Sequence, residues 1–193
     1  MVEATSRAQC PACNGTTLSL TSYNQSIPYF GEVLHTVVHC QACAFRHTDF
    51  MPLAQRDPAR HTLSIKSAED LTARVVRSNS GTYQVPELGF TATPTPASEA
   101  FVSNVEGVLE RVRSAMLRAR LLTDEPEKKR LLDERLAHLQ EIVEGRRVAT
   151  LVIEDPFGHS AILSDRVRAE PLTPEEAERL NPGRYVIDAN DLR

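Results

Sequence analysis

The four cysteines of the chain fall in two pairs, Cys10-Pro-Ala-Cys13 and Cys40-Gln-Ala-Cys43, with 26 residues between them. Two C-x-x-C knuckles at this separation are the sequence form of a four-thiolate zinc ribbon. Zn²⁺ takes four ligands tetrahedrally at about 2.3 Å from sulfur, and each knuckle offers two thiolates from one tight turn. Pro11 pre-sets the first turn, and Asn14-Gly15 can supply a left-handed residue just after it. The second knuckle ends in Ala44, where glycine would be easier, so local strain is expected there. Disulfides belong to oxidising compartments. Met1–Gln9 has no apolar segment of the kind a signal peptide carries, so a reducing, cytoplasmic setting is expected. A redox C-x-x-C would be followed by a βαβ pattern, and neither pair is. The expectation is therefore one Zn²⁺ per chain on Cys10, Cys13, Cys40 and Cys43, with the neighbouring His39 an ordinary strand residue. A closed shell of four thiolates leaves no position for water, so this zinc should fold its domain and catalyse nothing.

Charge narrows the partners. The 193 residues carry a net charge of −4, a poor basis for coating nucleic acid or anionic lipid. Within residues 1–50, Arg7 and Arg46 face Glu3, Glu32 and Asp49, so the ribbon has no basic excess of the kind a phosphate-binding module shows. Nucleic acid is thus an unfavoured partner. No run approaches the ~18 apolar residues of a membrane span, and no membrane association is expected. With 41% apolar residues the chain can build a core; with 5% aromatics and no Trp, that core must rest on Val, Leu and Ile.

Beyond the ribbon, the chain reads as a β-domain over residues 51–193, interrupted by a helical hairpin at 101–145. Thr62–Ile65, Ala73–Val76, Thr82–Val85 and Leu88–Thr91 are short strand signals separated by polar or Pro/Gly turns, a barrel or sandwich pattern. Ser103-Asn-Val-Glu106 has the form of a capping box ahead of the stripe Val105, Val108, Leu109, Val112, Met116 and Ala119. Pro126 suits the first position of a second helix, whose stripe is Leu132, Leu136, Leu139 and Val143, with Gly145 ending it. The short link between them makes an antiparallel pair. Arg111 to Arg120 reads most simply as a solvated face with i,i+4 pairs. Strand signals return at Val148–Ile153, Ala161–Leu163 and Tyr185–Ile187, so the β-domain must close across the hairpin. The apolar cluster Ile27-Pro-Tyr-Phe30 reads as a loop that either plugs the small ribbon core or presents Ile27 and Phe30 to a partner.

These residues in this order resemble the ZPR-one zinc-finger family. The likeness runs through Cys10–Cys13, Ile27–Phe30, Glu32-Val33, Cys40–Cys43, Arg46, Asp70-Leu71, Val75–Ser78, Ser80, Val85–Leu88, Ser98-Glu99 and Ser103–Leu109. It resumes at Asp155-Pro156, Gly158 and Ser160, so it spans roughly Cys10 to Ile162. The chain has one such module, as archaeal members do, where eukaryotic members have two. The resemblance implies a β-rich α+β fold: a Cys₄ zinc ribbon followed by a double-stranded β-helix domain with an inserted antiparallel helical hairpin. For function it implies a non-enzymatic protein that binds translation elongation factor 1 alpha in its GDP form, as a folding or assembly helper. The matching polar positions Arg77, Ser78, Ser80, Glu87, Asp155 and Ser160 are then candidates for partner contact, with turn stabilisation the alternative for each. Three positions depart from the family pattern: Ala44 in place of Gly, His159 in place of Asn, and Ala161 in place of an aromatic.

Two other classes of function are open to such a sequence. A zinc ribbon that binds nucleic acid or a transcription complex is the alternative. A metal-dependent oxygenase would need a two-histidine, one-carboxylate triad, for which His47-Thr-Asp49 and His159 are the available residues. His47 follows Cys43 by four residues and belongs to the ribbon's closing strand, which argues against that triad.

Overall fold

A computed structural model describes residues 2–6, 9–27, 31–54, 56–95 and 98–180. The chain divides into two units, Met1–Arg56 and Asp57–Arg193.

The first unit is an antiparallel sheet of four strands in chain order: β1 (Val2–Ser6), β2 (Leu18–Ile27), β3 (Gly31–Cys40) and β4 (Arg46–Pro52). Strands β2 and β3 form a long hairpin whose register runs from Leu18 opposite Cys40 to Ile27 opposite Gly31. Strand β3 leads directly into the second knuckle and carries His39 as an ordinary strand residue. Because β4 continues to Pro52, the sheet runs past the boundary drawn at residue 50. One core cluster of this unit is small, with Cys10, Leu18 and Cys40 buried and Val38 and Phe45 packed on them. Residues 28–30 lie outside the described residues, and with them Phe30; Ile27 is described as the last residue of β2.

The second unit is a two-sheet β-fold. Its strands are β5 (Ala59–Ile65), β6 (Arg74–Arg77), β7 (Thr82–Val85), β8 (Phe90–Ala92), β9 (Phe101–Asn104), β10 (Ala149–Asp155), β11 (Ala161–Leu163) and β12 (Arg168–Pro171). One sheet has the order β12-β5-β10-β7-β8 and the other β11-β6-β9. Every pairing is antiparallel, and β10 lies between β5 and β7 from before the hairpin. The two halves of the β-domain therefore do pair across the insertion. The core is aliphatic, as the scarcity of aromatics requires: Leu63, Ile65, Val85, Leu151 and Ile153 of the larger sheet with Val75 and Ile162 of the smaller. A short helix α1 (Ala68–Leu71) links β5 to β6, and a 3₁₀ turn at Pro86–Leu88 ends in Gly89 at φ +56°. Leu88 is therefore the end of that turn rather than the start of a strand.

The inserted hairpin is α2 (Val105–Leu122) and α3 (Pro126–Val143). The helices start later than the expected 101: Phe101–Asn104 is strand β9, paired with β6, so the insertion grows directly out of the sheet. The cap is also displaced by one residue. Asn104, not Ser103, caps α2, its side chain accepting from the Gly107 N–H at 2.9 Å. A Cβ on Gly107 would lie 3.1 Å from that Asn104 oxygen and 2.2 Å from Ser103 Oγ, which accounts for a glycine in the first turn of the helix. Val105, Val108, Leu109, Val112 and Met116 are buried along α2, as are Leu139 and Ile142 on α3. An Arg120–Asp133 ion pair bridges the two helices.

The described residues from Arg168 to Leu180 form a strand and a helix. Strand β12 pairs with β5, and α4 (Pro174–Leu180) follows it. Arg60 of β5 ties this segment down, bonding Glu154 at 2.6 Å, Glu176 at 2.9 Å and Glu170 at 3.5 Å. The strand expected at Tyr185–Ile187 lies outside the described residues. Among the described residues, no helix is long and apolar enough to cross a membrane.

Candidate metal centre and a buried carboxylate network

The two knuckles have one backbone design. In each, the first cysteine's N–H donates to the carbonyl five residues on: Cys10 to Gly15 and Cys40 to Phe45, both at 2.8 Å. In each, the residue four positions on donates back: Asn14 to the Cys10 carbonyl at 2.8 Å, and Ala44 to the Cys40 carbonyl at 3.0 Å. That second residue is left-handed in both cases, Asn14 at φ 58° and Ala44 at φ 59°. Asn14 rather than Gly15 takes this conformation in the first knuckle, and the strain expected at Ala44 is present.

The four sulfurs lie within 4.8 Å of one another. Cys10 and Cys43 approach to 3.7 Å, Cys13 and Cys40 to 3.8 Å. A tetrahedron with metal–sulfur distances of 2.3 Å has an edge of about 3.8 Å, so these spacings are those of a tetrathiolate zinc site. The sulfurs also disturb one another's ionisation. The Cys43 backbone N–H is the first influence lowering Cys40, to about 6. At Cys43 the Phe45 backbone N–H lowers the thiol, but Cys13, burial and the other two cysteines outweigh it and push it up to about 12. Four thiolates this close repel unless a cation lies among them. Cys10, Cys13, Cys40 and Cys43 hold one structural Zn²⁺. Among the described residues, this is the group of three or more such side chains placed to hold a metal. His47 is in β4 of the first unit and His159 in the second.

Three of the polar positions nominated in the second unit, Ser78, Ser80 and Ser160, converge on a fourth, the carboxylate of Asp155. Strand β10 ends at Asp155, and the turn Asp155–Gly158 follows, with Gly158 at φ 65°. A second turn, Ser78–Gly81, joins β6 to β7 and is closed by the Gly81 N–H on the Ser78 carbonyl. Asp155 staples the two turns together. Its Oδ1 accepts from Ser80 Oγ at 2.8 Å and from the Phe157 N–H at 2.9 Å. Its Oδ2 accepts from Ser78 Oγ and Ser160 Oγ, each at 2.6 Å. Ser160 Oγ in turn accepts from the Ser78 N–H at 2.9 Å. Four donors fill the carboxylate's acceptor sites. Burial pushes this carboxyl up, but the bonds from Ser160, Ser78, Phe157 and Ser80 outweigh burial and hold it below its ordinary value. Gly81 is part of the design: a Cβ there would lie 2.4 Å from Ser160 Oγ.

Asp155 is 0% exposed, Ser78 and Ser160 1%, Arg77 5% and Ser80 6%. These five were candidates for partner contact; the structure brings them together but turns them inward, so they brace turns and present no surface. Arg77 belongs to the same brace, donating from Nε to the Gly81 carbonyl at 2.8 Å and from Nη1 to the Glu99 carbonyl at 3.1 Å. Glu87 is exposed and also braces, accepting from the Thr150 N–H and hydroxyl at 3.0 and 2.8 Å. His159, the departure in this turn, is buried.

Residues 69–181 match the family described as the ZPR1 jelly-roll domain. A ZPR1-like protein of Pyrococcus horikoshii is 41% identical over 92% of this chain and 82% of its own length. One of Methanocaldococcus jannaschii is 43% identical over 97% of this chain and 95% of its own. The zinc finger chaperone zpr1 of Schizosaccharomyces pombe is 28% identical over 98% of this chain, which spans 42% of that longer protein.

Proposed function

The chain belongs to the ZPR1 family, and on that footing we propose that it is a non-enzymatic binding protein whose partner is translation elongation factor 1 alpha in its GDP-bound form. It acts there as a folding or assembly helper. The observation that carries this reading is the likeness, along nearly the whole chain, to a fission-yeast relative that bears the name of a zinc finger chaperone. The metal centre fits it. Four thiolates complete the shell of a zinc ion, so the ion organises the ribbon and has no open position for water or substrate. Around the knuckles, Cys13, Cys43, Gln41, Ala42 and Arg46 are exposed, so zinc holds in shape a surface that a partner can meet. The mildly acidic balance of the chain favours a protein partner over a phosphate backbone.

The test is a pull-down of purified elongation factor 1 alpha from the same cell, loaded with GDP or with a GTP analogue, after nuclease treatment of both proteins. Retention that favours GDP supports the reading. Binding instead to RNA or DNA, with a steep salt dependence, would replace it with the nucleic-acid alternative.

A further inference from the structure

The second unit has a cleft of about 620 Å³ whose wall shares Arg77 with the Asp155 brace. It lies where both sheets end. Phe90 and Ala92 come from β8, the edge of the larger sheet, and Phe101 from β9, the edge of the smaller. Helix α2 forms another wall through Arg111, Ser114, Ala115 and Arg118, spaced as one stripe of a helix.

Three arginines line this cleft, Arg77, Arg111 and Arg118, and none forms an ion pair with a described carboxylate. The other two arginines of that stretch of α2 are occupied: Arg113 pairs with Glu110, and Arg120 with Asp133. Only part of the run from Arg111 to Arg120 is therefore the self-paired solvated face expected from its sequence. Arg111 stacks on the Phe101 ring at 4.3 Å and Arg77 sits 5.9 Å from the Tyr83 centroid. Tyr83 packs against Phe90 at 5.8 Å and edge-on to Phe101 at 6.3 Å, so aromatic rings hold Arg77 and Arg111 in place. Burial is the main influence lowering the Arg77 guanidinium, and Arg111 adds to it, a sign of cations gathered at close range.

We propose that this cleft binds an extended acidic segment of a protein partner, with a carboxylate on Arg111 and Arg118 and a neighbouring apolar side chain against Phe90 and Phe101. Arginine at the rim of a pocket recognises carboxylate by paired, charge-assisted hydrogen bonds. The outer edge of β8 has no strand beside it among the described residues, and an extended chain can bond to such an edge. A free polyphosphate fits less well, because it has no apolar group to set against Phe90 and Phe101. The proposal rests on the reading of the chain as a protein-binding factor and locates one contact surface for it.

The test uses the full chain and a short fluorescein-labelled peptide alternating glutamate with leucine, beside the same peptide with glutamine for glutamate. The glutamate peptide should bind, and the glutamine peptide should bind about tenfold more weakly or worse. Arg111→Gln and Arg118→Gln should each weaken the glutamate peptide about tenfold, and Arg118→Gln should do so with the melting temperature unchanged. Amide shifts should concentrate at Phe90–Ala92 and along Arg111–Arg118. Equal binding of the two peptides, or binding unaffected by both substitutions, would overturn the proposal. So would shifts at these residues caused by inorganic phosphate or GDP but not by the peptide. The elongation-factor pull-down separates the two claims: if it succeeds and R111Q/R118Q does not weaken it, the cleft is wrong and the function stands.

Discussion

Ser78 and Asp155 are 77 residues apart in the chain, yet the serine hydroxyl donates to the carboxylate at 2.6 Å in a fully buried site. One belongs to the first half of the β-domain and the other to the half that follows the helical hairpin. The bond is thus part of what closes the domain around its insertion.

Replacing that carboxylate should show its weight. Asp155→Asn keeps the shape but removes the charge and places an NH₂ against hydroxyl donors. A loss of about 2–3 kcal/mol is expected, since hydrogen bonds to charged groups are worth more than neutral ones. Urea unfolding at neutral pH checks it.

The pH dependence has a definite sign. The folded carboxyl sits below its ordinary value, which is about 3.9 in the unfolded chain. Its contribution is therefore complete above that value and is lost as pH falls through the folded one. The stability gap between the natural protein and D155N should stay constant from neutral pH to about pH 5 and narrow below about pH 4. A gap that widens on acidification would contradict the hydrogen-bonded carboxylate.

Removing zinc should act on one unit. The knuckle core holds two ligands among its three buried residues, Cys10, Leu18 and Cys40, too little to fold the ribbon without the metal. Cys43→Ser, or a strong chelator, should collapse the amide dispersion of residues 9–56 in NMR spectra. The signals of the aliphatic core around Leu63, Val85 and Leu151 should persist. A zinc-free ribbon with native spectra would refute the metal assignment.

The second knuckle can be improved. Ala44 stands at φ 59°, where a Cβ is unfavourable, while the matching position of the first knuckle has Asn14, a residue that tolerates this conformation. Ala44→Gly should raise stability by about 0.5–1 kcal/mol, the relief of strain exceeding the added freedom of the unfolded chain. A zinc-competition titration against a chromogenic chelator reads the change as tighter metal retention.

What was legible in the sequence follows from the range of the interactions involved. A metal dictates ligand type and spacing within a few residues, so the cysteines could be read directly. Strands β7 and β11 match their sequence runs at Thr82–Val85 and Ala161–Leu163, because turns bound them on both sides. Phe101–Asn104 was absorbed into the helix beside it, since four residues are too few to display an alternation of their own. The capping pattern Ser103-x-x-Glu106 hid the adjacent Asn104, whose oxygen reaches the Gly107 N–H. Ser78, Ser80, Asp155 and Ser160 could be picked out as polar positions, but not their burial. Polar side chains are usually exposed, and only the meeting of two distant turns removes these from water. The aromatic cleft was not legible for the same reason: Tyr83, Phe101 and Arg111 come from three different elements.

The proposed binding to elongation factor 1 alpha should depend both on zinc and on the nucleotide the factor carries. The most direct measurement is the affinity of the full, zinc-loaded chain for purified elongation factor 1 alpha from the same cell, measured with GDP and with a GTP analogue. Tighter binding with GDP is expected, and loss of that binding in the Cys43→Ser variant. No detectable binding with either nucleotide would contradict it.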